Sequence, residues 1–505
     1  MADQDGGDSA QLSERADFKK RSVRGVAQMM AGRIFQVLVT FGSMAVLARL
    51  LTPEDFGIVA TVSAVTALLG IFRDAGLVSA VIRSKELSAA QASSLFWITL
   101  ALSCLVALTI AAAAPLVASV YRVPELTNIM RAFALATVLE GVGLQHGALL
   151  RRELRLGGYT TATLLSEALA AATAIGMASS GWGYWSLVAK SLVAAASCSA
   201  LLWWFCDFRP GRPRLGTGVR SLVVFGGRLT LAQLLWVILR KSDDALIGWA
   251  WGPAALGFYS RAYSLLLLPT QQLSSPLGAA AIPTLSRLQD QPERFRRYYL
   301  SGIEFVTFVG FPLVVLLFIA AEDIVLLVFG PQWLPSVPLF RGLGPATLIE
   351  ITGVAATWIY TPLGRSDKEL KMAAVYVPTF VLGVACGLYW GALGVAIAVS
   401  VVRIAAQPFN LAYCYRDTPL TLRHYYASLW KPLLAACASG TLSWLALASL
   451  WRELTPGFTR ALALGTAMAI LYFTMFALLP GGSVKLVELR GHIQELFSAR
   501  RAKAA

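Results

Sequence analysis

Long apolar segments dominate this chain and limit what it can fold into. About fourteen stretches of roughly twenty apolar residues follow one another along the 505 residues, and about twenty residues of helix are needed to cross a hydrocarbon core. With 57% hydrophobic and only 14% charged residues, the chain has too little charge to cover the surface of a soluble protein of this length. The sequence therefore predicts an all-α integral membrane protein.

The apolar stretches give a set of predicted transmembrane spans. They are 26–48, 56–79, 93–114, 127–149, 159–179, 182–205, 222–250, 256–280, 301–320, 337–360, 372–390, 391–413, 431–451 and 459–480.

Lys and Arg cluster in alternate connections between these spans. They crowd the N-terminal segment, the connections near 151–155, 206–220, 284–300 and 365–371, and the C-terminal tail, whereas the opposite connections hold few. Because cytoplasmic loops carry the excess of basic residues, we expect a multi-pass protein of a bacterial inner membrane with both termini in the cytoplasm. Contact with anionic lipid headgroups then explains the net charge of +15 better than nucleic-acid binding does.

The six cysteines and three histidines form no recognisable motif for metal or redox chemistry. Every cysteine lies in or beside a predicted span, none belongs to a CxxC pair, and the histidines are scattered, so we expect packing residues. The chain also has no GxxxxGK[ST] segment, which excludes ATP hydrolysis by that phosphate-binding loop. The prediction is a protein without metal or cofactor that is not an enzyme.

Two segments 200 residues apart follow one pattern. Residues 47–65 align without gaps on 247–265, which places Pro53 on Pro253 and Gly57 on Gly257. An even number of predicted spans separates the copies, so both have the same orientation, as in parallel repeats related by an axis along the membrane normal. We therefore predict two six-helix lobes around a central cavity, with two extra C-terminal helices.

The predicted domains follow from this repeat. They are a basic N-terminal segment (1–25), an N-lobe (26–205), a cytoplasmic linker (206–220), a C-lobe (221–415), the last two spans (416–480) and a cytoplasmic tail (481–505).

Polar side chains at helical spacing mark the first and seventh spans, at the same offset. The two stripes are Arg33, Gln36, Thr40 and Ser43, and Gln233, Trp236, Arg240 and Asp243. Since a charge at the bilayer centre costs about 2.5–3.5 kcal/mol, we expect these stripes to line a water-filled cavity. Two alternatives stay open. The first is that Arg33 only snorkels to the cytoplasmic interface, and the second is that 240–244 is a solvated outer loop.

Other ionisable residues lie within the predicted spans, and for each one an ion pair between helices is as plausible as a ligand contact. These further candidates are Arg73, Asp74, Glu140, Asp244, Arg261, Glu350 and Arg403, with Glu167, Lys190, Glu304 and Arg341 closer to the interfaces.

The sign of the charge in the first span favours an anionic substrate. Arg33 stands alone there, with no carboxylate between Gly25 and Leu51, and a guanidinium group binds phosphate through paired hydrogen bonds. An exporter of organic cations would need an acidic cavity. Membrane polymerases and ligases usually hold their acceptor in a large outer domain, which this chain lacks. The Glu54–Asp55 pair in TPEDFG is typical of a capped helix start rather than of a transferase site.

Several motifs in fixed order resemble one family. RLLTPEDFGIVA, FRDAGL, LLRRELR, GYWSLVA, SDDALIGWAWGPAALGFYSRAYSL, PTLSRLQDQPERFRRYYL and GPQWLPSVPLFRGLG together resemble bacterial polysaccharide flippases, the Wzx and colanic-acid-exporter-like group of the multidrug/oligosaccharidyl-lipid/polysaccharide (MOP) superfamily. The resemblance covers about residues 20–480.

The resemblance implies an alternating-access transporter that moves undecaprenyl-diphosphate-linked oligosaccharide units from the cytoplasmic to the periplasmic leaflet. It implies membrane lipids, and polymerase and chain-length machinery, as partners. A cationic central cavity would hold the diphosphate-sugar head, with the role falling by position to Arg33, Arg73, Arg240, Arg261 and Arg403, beside Gln36 and Gln233. The candidates for ion coupling or ion pairing are Asp74, Glu140, Asp243, Asp244 and Glu350.

An additional acidic residue departs from the family pattern. In the motif SRxxDNxxIG, Arg240 and Asp243 match, but Asp244 stands where the family has Asn, and the extra acid leaves the sign of the outer cavity open. The alternative functions are a small-molecule exporter of the multidrug type and a membrane-embedded ligase or transferase.

Overall fold

The protein is helical throughout the part of the chain that the structure describes. This computed structural model describes residues 32, 35–74, 76–84, 87–212, 220–447, 457–483 and 485. Contacts between residues divide the chain into two compact units, Met1–Lys241 and Ser242–Ala505. The division falls inside a helix, after the predicted linker 206–220, so each unit is described by itself.

Sixteen α-helices occupy the described residues, and their bounds are as follows. The first unit contains α1 (Phe35–Leu50), α2 (Pro53–Asp74), α3 (Leu77–Arg83), α4 (Ala89–Tyr121), α5 (Leu126–Arg152), α6 (Leu156–Ser179), α7 (Trp185–Phe205) and the start of α8 (Arg220–Arg287). The second unit contains the rest of α8, then α9 (Pro292–Ile319), α10 (Ala321–Val328), α11 (Ser336–Thr352), α12 (Val354–Tyr360), α13 (Ser366–Gly387), α14 (Gly391–Cys414), α15 (Leu422–Leu447) and α16 (Phe458–Leu478).

Within the described ranges, eight candidate membrane spans are long and apolar enough to cross a bilayer, which identifies a multi-pass membrane protein. They are Pro53–Ile82, α4, α5, α6, α7, α9, the stretch Ser366–Cys414 and α16, and α1 is a shorter apolar helix. The structure differs from the prediction in two segments. The predicted span 337–360 consists of two helices that meet at Gly353, and the connection before it contains the short helix α10.

Large apolar side chains cover the outside of these helices. On α4, Leu105, Leu108 and Leu116 are 59%, 67% and 66% exposed. In water such exposure would be unfavourable, but lipid tails are as apolar as leucine. The exposed faces are therefore consistent with a bilayer around the protein.

In the first unit, α5 packs against α2, α3, α4 and α7. Its glycines permit this close approach: a Cβ at Gly141 would overlap Ser103 of α4, and one at Gly143 would lie 2.6 Å from Oγ of Ser199 on α7. Ser199 Oγ also donates a hydrogen bond to the Leu139 carbonyl at 2.5 Å. Small residues at such contacts are typical of helix packing in membranes, and here they fix the orientation of α5 and of Glu140.

In the second unit, a buried ion pair attaches α16 to α10. Arg460 Nε donates to Asp323 Oδ1 at 2.6 Å, and Arg460 Nη2 donates to Glu322 at 3.0 Å. Arg460 is only 8% exposed and Asp323 is fully buried. Helix α16 is thus joined to the second unit by specific contacts.

Both copies of the sequence pattern change helix just before the matching proline. Pro53 begins α2, where Thr52 and Asp55 cap the helix reciprocally: the Asp55 N–H donates to Thr52 Oγ1 at 3.2 Å, and the Thr52 N–H donates to Asp55 at 2.9 Å. In the second copy, Gly252 interrupts α8 with φ 79°, a left-handed conformation that favours glycine, and Pro253 follows. The predicted capped turn at TPEDFG is confirmed.

Residues 206–212, the first part of the predicted linker, lie against the first unit. Trp97 Nε1 donates to the Gly211 carbonyl at 2.8 Å, and the Gly211 N–H donates to Ser93 Oγ at 3.0 Å. Both partners are on α4, so this part of the linker belongs structurally to the helices that precede it.

Candidate functional site

A polar cavity of about 610 Å³ lies within the first unit, between α2, α5, α6 and α7. We call it the first-unit cavity. Its polar lining residues are Ser63, Thr66, Arg73, Thr137, Glu140, Glu167, Lys190 and Ser191. Charged and hydroxyl groups inside a bundle of apolar helices are costly, so their concentration in one place indicates a functional site.

Helix α2 forms one wall of the cavity with a stripe at helical spacing. Ser63, Thr66, Gly70 and Arg73 follow one another on this wall, and a Cβ at Gly70 would meet no atom within 4 Å. The Thr66 hydroxyl donates to the Val62 carbonyl at 2.8 Å, which leaves its oxygen lone pairs for another donor. The wall is therefore open and rich in acceptors.

Two ion pairs cross the cavity between helices. Arg73 of α2 pairs with Glu140 of α5, and these side chains are 23% and 45% exposed. Lys190 of α7 pairs with Glu167 of α6 at 3.1 Å, with exposures of 24% and 27%. Arg73 Nε has no hydrogen-bond acceptor among the described residues. All four charges remain accessible from the cavity.

The second unit contains a more deeply buried polar cluster, which joins α8, α11 and α14. Arg403 forms an ion pair with Glu350, and its other amino group donates to the Tyr263 hydroxyl at 2.7 Å. The rings of Tyr263 and Phe380 lie 5.7 Å from the guanidinium carbon. Arg403 is 11% exposed, and its guanidinium group is occupied on several sides.

Asp243 lies in the same unit and is nearly inaccessible. The Tyr259 hydroxyl donates to Asp243 Oδ2 at 2.7 Å, and the Asp244 N–H donates to Oδ1 at 3.0 Å. Asp243, Asp244 and Tyr259 are 1%, 6% and 0% exposed. Residues 240–244 are helical, so the alternative of a solvated outer loop is wrong.

The other described candidates of the two polar stripes do not line the first-unit cavity. Arg33 lies outside the described residues. Gln36 is half-buried, and Gln233 and Arg240 are exposed. The suggested partner of Arg240, Asp243, is instead hydrogen-bonded to Tyr259.

Two other candidates have local electrostatic or capping contacts. Asp74 accepts a hydrogen bond from the Val78 N–H at 2.8 Å, at the start of α3. Arg261 is half-buried and interacts electrostatically with Asp244. Neither contact by itself identifies a ligand site.

Sequence reasoning missed the two tyrosines and placed Glu167 and Lys190 nearer to the interfaces. The only local signal for the tyrosines was their spacing, because Tyr259 and Tyr263 are one helical turn apart on α8. Among the described residues, no group of three or more His, Cys, Asp or Glu side chains is placed to hold a metal ion.

Solved structures share this fold. The lipid II flippase MurJ in an inward closed conformation superposes with a TM-score of 0.70 at 10% identity, covering 90% of this chain and 98% of MurJ. An inward-facing multidrug resistance MATE transporter of the MOP superfamily gives a TM-score of 0.60 at 15% identity, covering 78% of this chain and 98% of that one. The protein therefore has the helical membrane fold of MOP-superfamily transporters.

The family follows from the sequence match. Residues 46–338 match the family model described as polysaccharide biosynthesis protein, and the chain belongs to this family. It is 23% identical over 428 residues to the lipopolysaccharide biosynthesis protein WzxC of Escherichia coli strain K12, covering 82% of this chain and 85% of WzxC. It is 27% identical over 407 residues to the succinoglycan biosynthesis transport protein ExoT of Rhizobium meliloti strain 1021, covering 80% of this chain and 76% of ExoT.

Proposed function

We propose that the protein is a flippase that moves undecaprenyl-diphosphate-linked oligosaccharide units from the cytoplasmic to the periplasmic leaflet of a bacterial inner membrane, for exopolysaccharide, capsule or O-antigen synthesis. The observation that carries this proposal is the first-unit cavity, a charged and hydroxyl-lined space of about 610 Å³ within apolar helices, in a chain of the polysaccharide biosynthesis family. The similarity to ExoT, a succinoglycan biosynthesis transport protein, supports it.

The physical task of such a protein agrees with this arrangement. A polyprenyl tail is soluble in lipid, but a diphosphate-sugar head cannot cross the hydrocarbon core without polar contacts that replace water. A polar cavity among apolar helices supplies those contacts while the tail stays in the bilayer. Alternating access would expose the cavity to one leaflet and then to the other. No chemical bond changes in this process, so the protein needs no catalytic group or cofactor.

We propose fourteen membrane spans, with both termini in the cytoplasm. Two six-helix lobes (26–205 and 221–415) would form parallel repeats around a central cavity and be joined by the cytoplasmic linker 206–220. The last two spans (416–480) would lie outside the repeat. What supports this arrangement is the matching helix change before Pro53 and Pro253 and the basic residues in alternate connections.

Among the predicted residues, we propose that Arg33 and Arg73 contact the cargo head, with Gln36, Gln233 and Arg240 along its path. The low exposure of Arg403 and the interaction of Arg261 with Asp244 favour roles inside the second unit. The carboxylates Asp74, Glu140, Asp243, Asp244 and Glu350 would pair with cations or carry a coupling ion. Polysaccharide polymerase and chain-length proteins would receive the flipped unit.

Export of a small molecule is the second candidate, since the MATE transporter has a similar fold. A cationic drug would need a site in which carboxylates outnumber bases, whereas the first-unit cavity holds two of each. Ligase or transferase activity has less support, because the solved structures with a similar fold are a lipid II flippase and a multidrug resistance transporter.

Depletion of the protein in its own host tests the proposal. Lipid-linked repeat units should accumulate on the cytoplasmic leaflet, protected from periplasmic glycan-modifying enzymes, and surface polysaccharide should disappear. Loss of a ligase would instead leave units accessible from the periplasm, and loss of a drug exporter would leave the polysaccharide unchanged. Either of these results would reject the flippase assignment.

Variants of Arg33 extend the same experiment. Arg33→Ala should remove export at normal membrane levels of the protein. Arg33→Lys should restore part of it, because lysine returns the charge without the bidentate fork. The matched control is Arg212→Ala, which changes an exposed arginine of the linker. Normal export by Arg33→Ala would reduce this residue to an interfacial anchor.

A further inference from the structure

The charges of the first-unit cavity cancel. Its lining contains two cations, Arg73 and Lys190, and two anions, Glu140 and Glu167. Each cation is already paired with a carboxylate from another helix. A diphosphate entering this space would meet as many carboxylates as bases, and it would have to displace a glutamate to reach either cation. The cavity is poorly matched to a strongly anionic group.

The neutral lining groups mostly offer hydrogen-bond acceptors. The hydroxyls of Thr66, Thr137 and Ser191 donate to backbone carbonyls of their own helices, at 2.8, 2.9 and 3.3 Å. Their oxygen lone pairs are therefore directed to other donors, as are the carboxylate oxygens that the ion pairs leave unused. A ligand rich in hydroxyl groups can donate to these acceptors and accept from the two cations.

Size and shape point to the same class of ligand. A volume of about 610 Å³ is in the range of small-molecule sites, about 300–1,000 Å³. Phe133 and the methyl groups of Ala67, Ala136 and Ala194 line the space between the polar groups. A sugar ring has the same alternation, with hydroxyls at its edge and C–H groups on its faces.

We propose that the first-unit cavity recognises an uncharged glycosyl residue of the cargo rather than its diphosphate, and that Glu167 and Lys190 determine which sugar is accepted. This inference rests on the proposed function. The carboxylates accept hydrogen bonds from the sugar hydroxyls, and Lys190 donates to a ring or hydroxyl oxygen. The diphosphate is bound elsewhere in the protein.

Binding measurements with two lipids test the assignment. The full-length protein in nanodiscs is titrated with the lipid-linked repeat unit extracted from a depleted host, and with undecaprenyl diphosphate, which carries no sugar. The double variant Glu167→Gln/Lys190→Gln removes both charges of one pair and keeps the cavity neutral. We expect its dissociation constant for the glycolipid to rise at least about tenfold, or 1.4 kcal/mol, with no change for undecaprenyl diphosphate.

A matched control changes an ion pair outside the cavity. Lys368 and Asp417 form a pair at 2.9 Å, and Lys368→Gln/Asp417→Asn should leave the binding of both lipids unchanged. A second variant, Thr137→Val, keeps the shape of the side chain and removes one acceptor, so it tests the cavity even when the double variant does not fold. It should weaken glycolipid binding alone.

Three results have distinct meanings. Equal weakening of both lipids would overturn the inference and assign the cavity to the diphosphate. Unchanged glycolipid binding in both folded variants would also overturn it. Failure of the unaltered protein to bind the glycolipid better than a bulk phospholipid would contradict the proposed function itself, and the sugar assignment with it.

Discussion

Both compact units pair an arginine with a glutamate inside a bundle of apolar helices, but in different settings. Glu140 on α5 and Glu350 on α11 each lie fourteen residues after the first residue of their helix. The arginine comes from α2 in the first unit and from α14 in the second. Arg73 and Glu140 are 23% and 45% exposed, whereas Arg403 and Glu350 are 11% and 29% exposed.

The difference in exposure indicates that an arginine–glutamate pair can serve two purposes. Arg403 also donates a hydrogen bond to the Tyr263 hydroxyl and lies near the rings of Tyr263 and Phe380. Little of its guanidinium group is therefore left for a ligand. Arg73 lines the first-unit cavity, and 23% of its side chain is exposed. We infer that the pair in the second unit holds helices together, while the pair in the first unit is available to the cargo.

Loss of Arg403 should have the largest effect on stability. Arg403→Gln leaves Glu350, which is 29% exposed, without its cation among apolar helices, where an unpaired charge is unfavourable. We expect a clear fall in the thermal midpoint of the detergent-solubilised protein and in its yield. The double variant Arg403→Met/Glu350→Met should recover most of the loss, because it leaves no unpaired charge.

The matched control for this first prediction is Arg73→Gln. Because that pair is more exposed than Arg403–Glu350, its loss should lower the thermal midpoint less. Equal falls in the thermal midpoint for Arg403→Gln and Arg73→Gln would remove the distinction between the two units.

Removal of the Tyr259 hydroxyl should have the next largest effect. Tyr259→Phe takes away the donor to Asp243 Oδ2, and an unsatisfied buried polar group costs about 1–3 kcal/mol. The thermal midpoint should fall accordingly, whereas Tyr184→Phe, at a half-buried tyrosine of the first unit, should leave it nearly unchanged. An unaltered midpoint for Tyr259→Phe would show that Asp243 does not depend on this bond.

Arg73 should matter for transport and not for folding. With Arg73→Gln we expect polysaccharide export to fall about tenfold, equivalent to 1.4 kcal/mol, and Arg73→Lys should give an intermediate rate because lysine lacks the planar fork. Export is measured as surface polysaccharide at equal protein levels, with Arg341→Gln as the control at an exposed arginine outside the cavity. Normal export by Arg73→Gln would make the Arg73–Glu140 pair structural.

Chemical labelling compares the accessibility of one position in each unit, and we expect the smallest functional effect from these substitutions. In a protein without its six cysteines, Ser63→Cys lies in the wall of the first-unit cavity and should react with a hydrophilic thiol reagent. Ser400→Cys replaces a 5% exposed serine that donates to the Gly342 carbonyl at 2.6 Å, and it should react far more slowly. Similar rates at both positions would contradict the open character of the cavity.

Much of the local structure followed from the sequence. The cap formed by Thr52 and Asp55 was predictable because capping contacts join residues three apart, and the apolar stretches marked the helices because a span has a fixed minimum length. Arg73 and Glu140 were both recognised as candidates. Their pairing was not, because helical spacing gives the face of a residue and not the helix opposite to it.

The sequence by itself determined the apolar helices, the recurring proline junction and the presence of costly charges between them. These features depend on local rules. In lipid each backbone polar group must form a hydrogen bond within the structure, and each charge must be compensated by a partner or a function. Only the tertiary structure decided that Arg73 meets Glu140 beside an open cavity, while Arg403 is enclosed by Glu350, Tyr263 and Phe380. The physical reason is that pairing and burial depend on contacts between helices far apart in the chain.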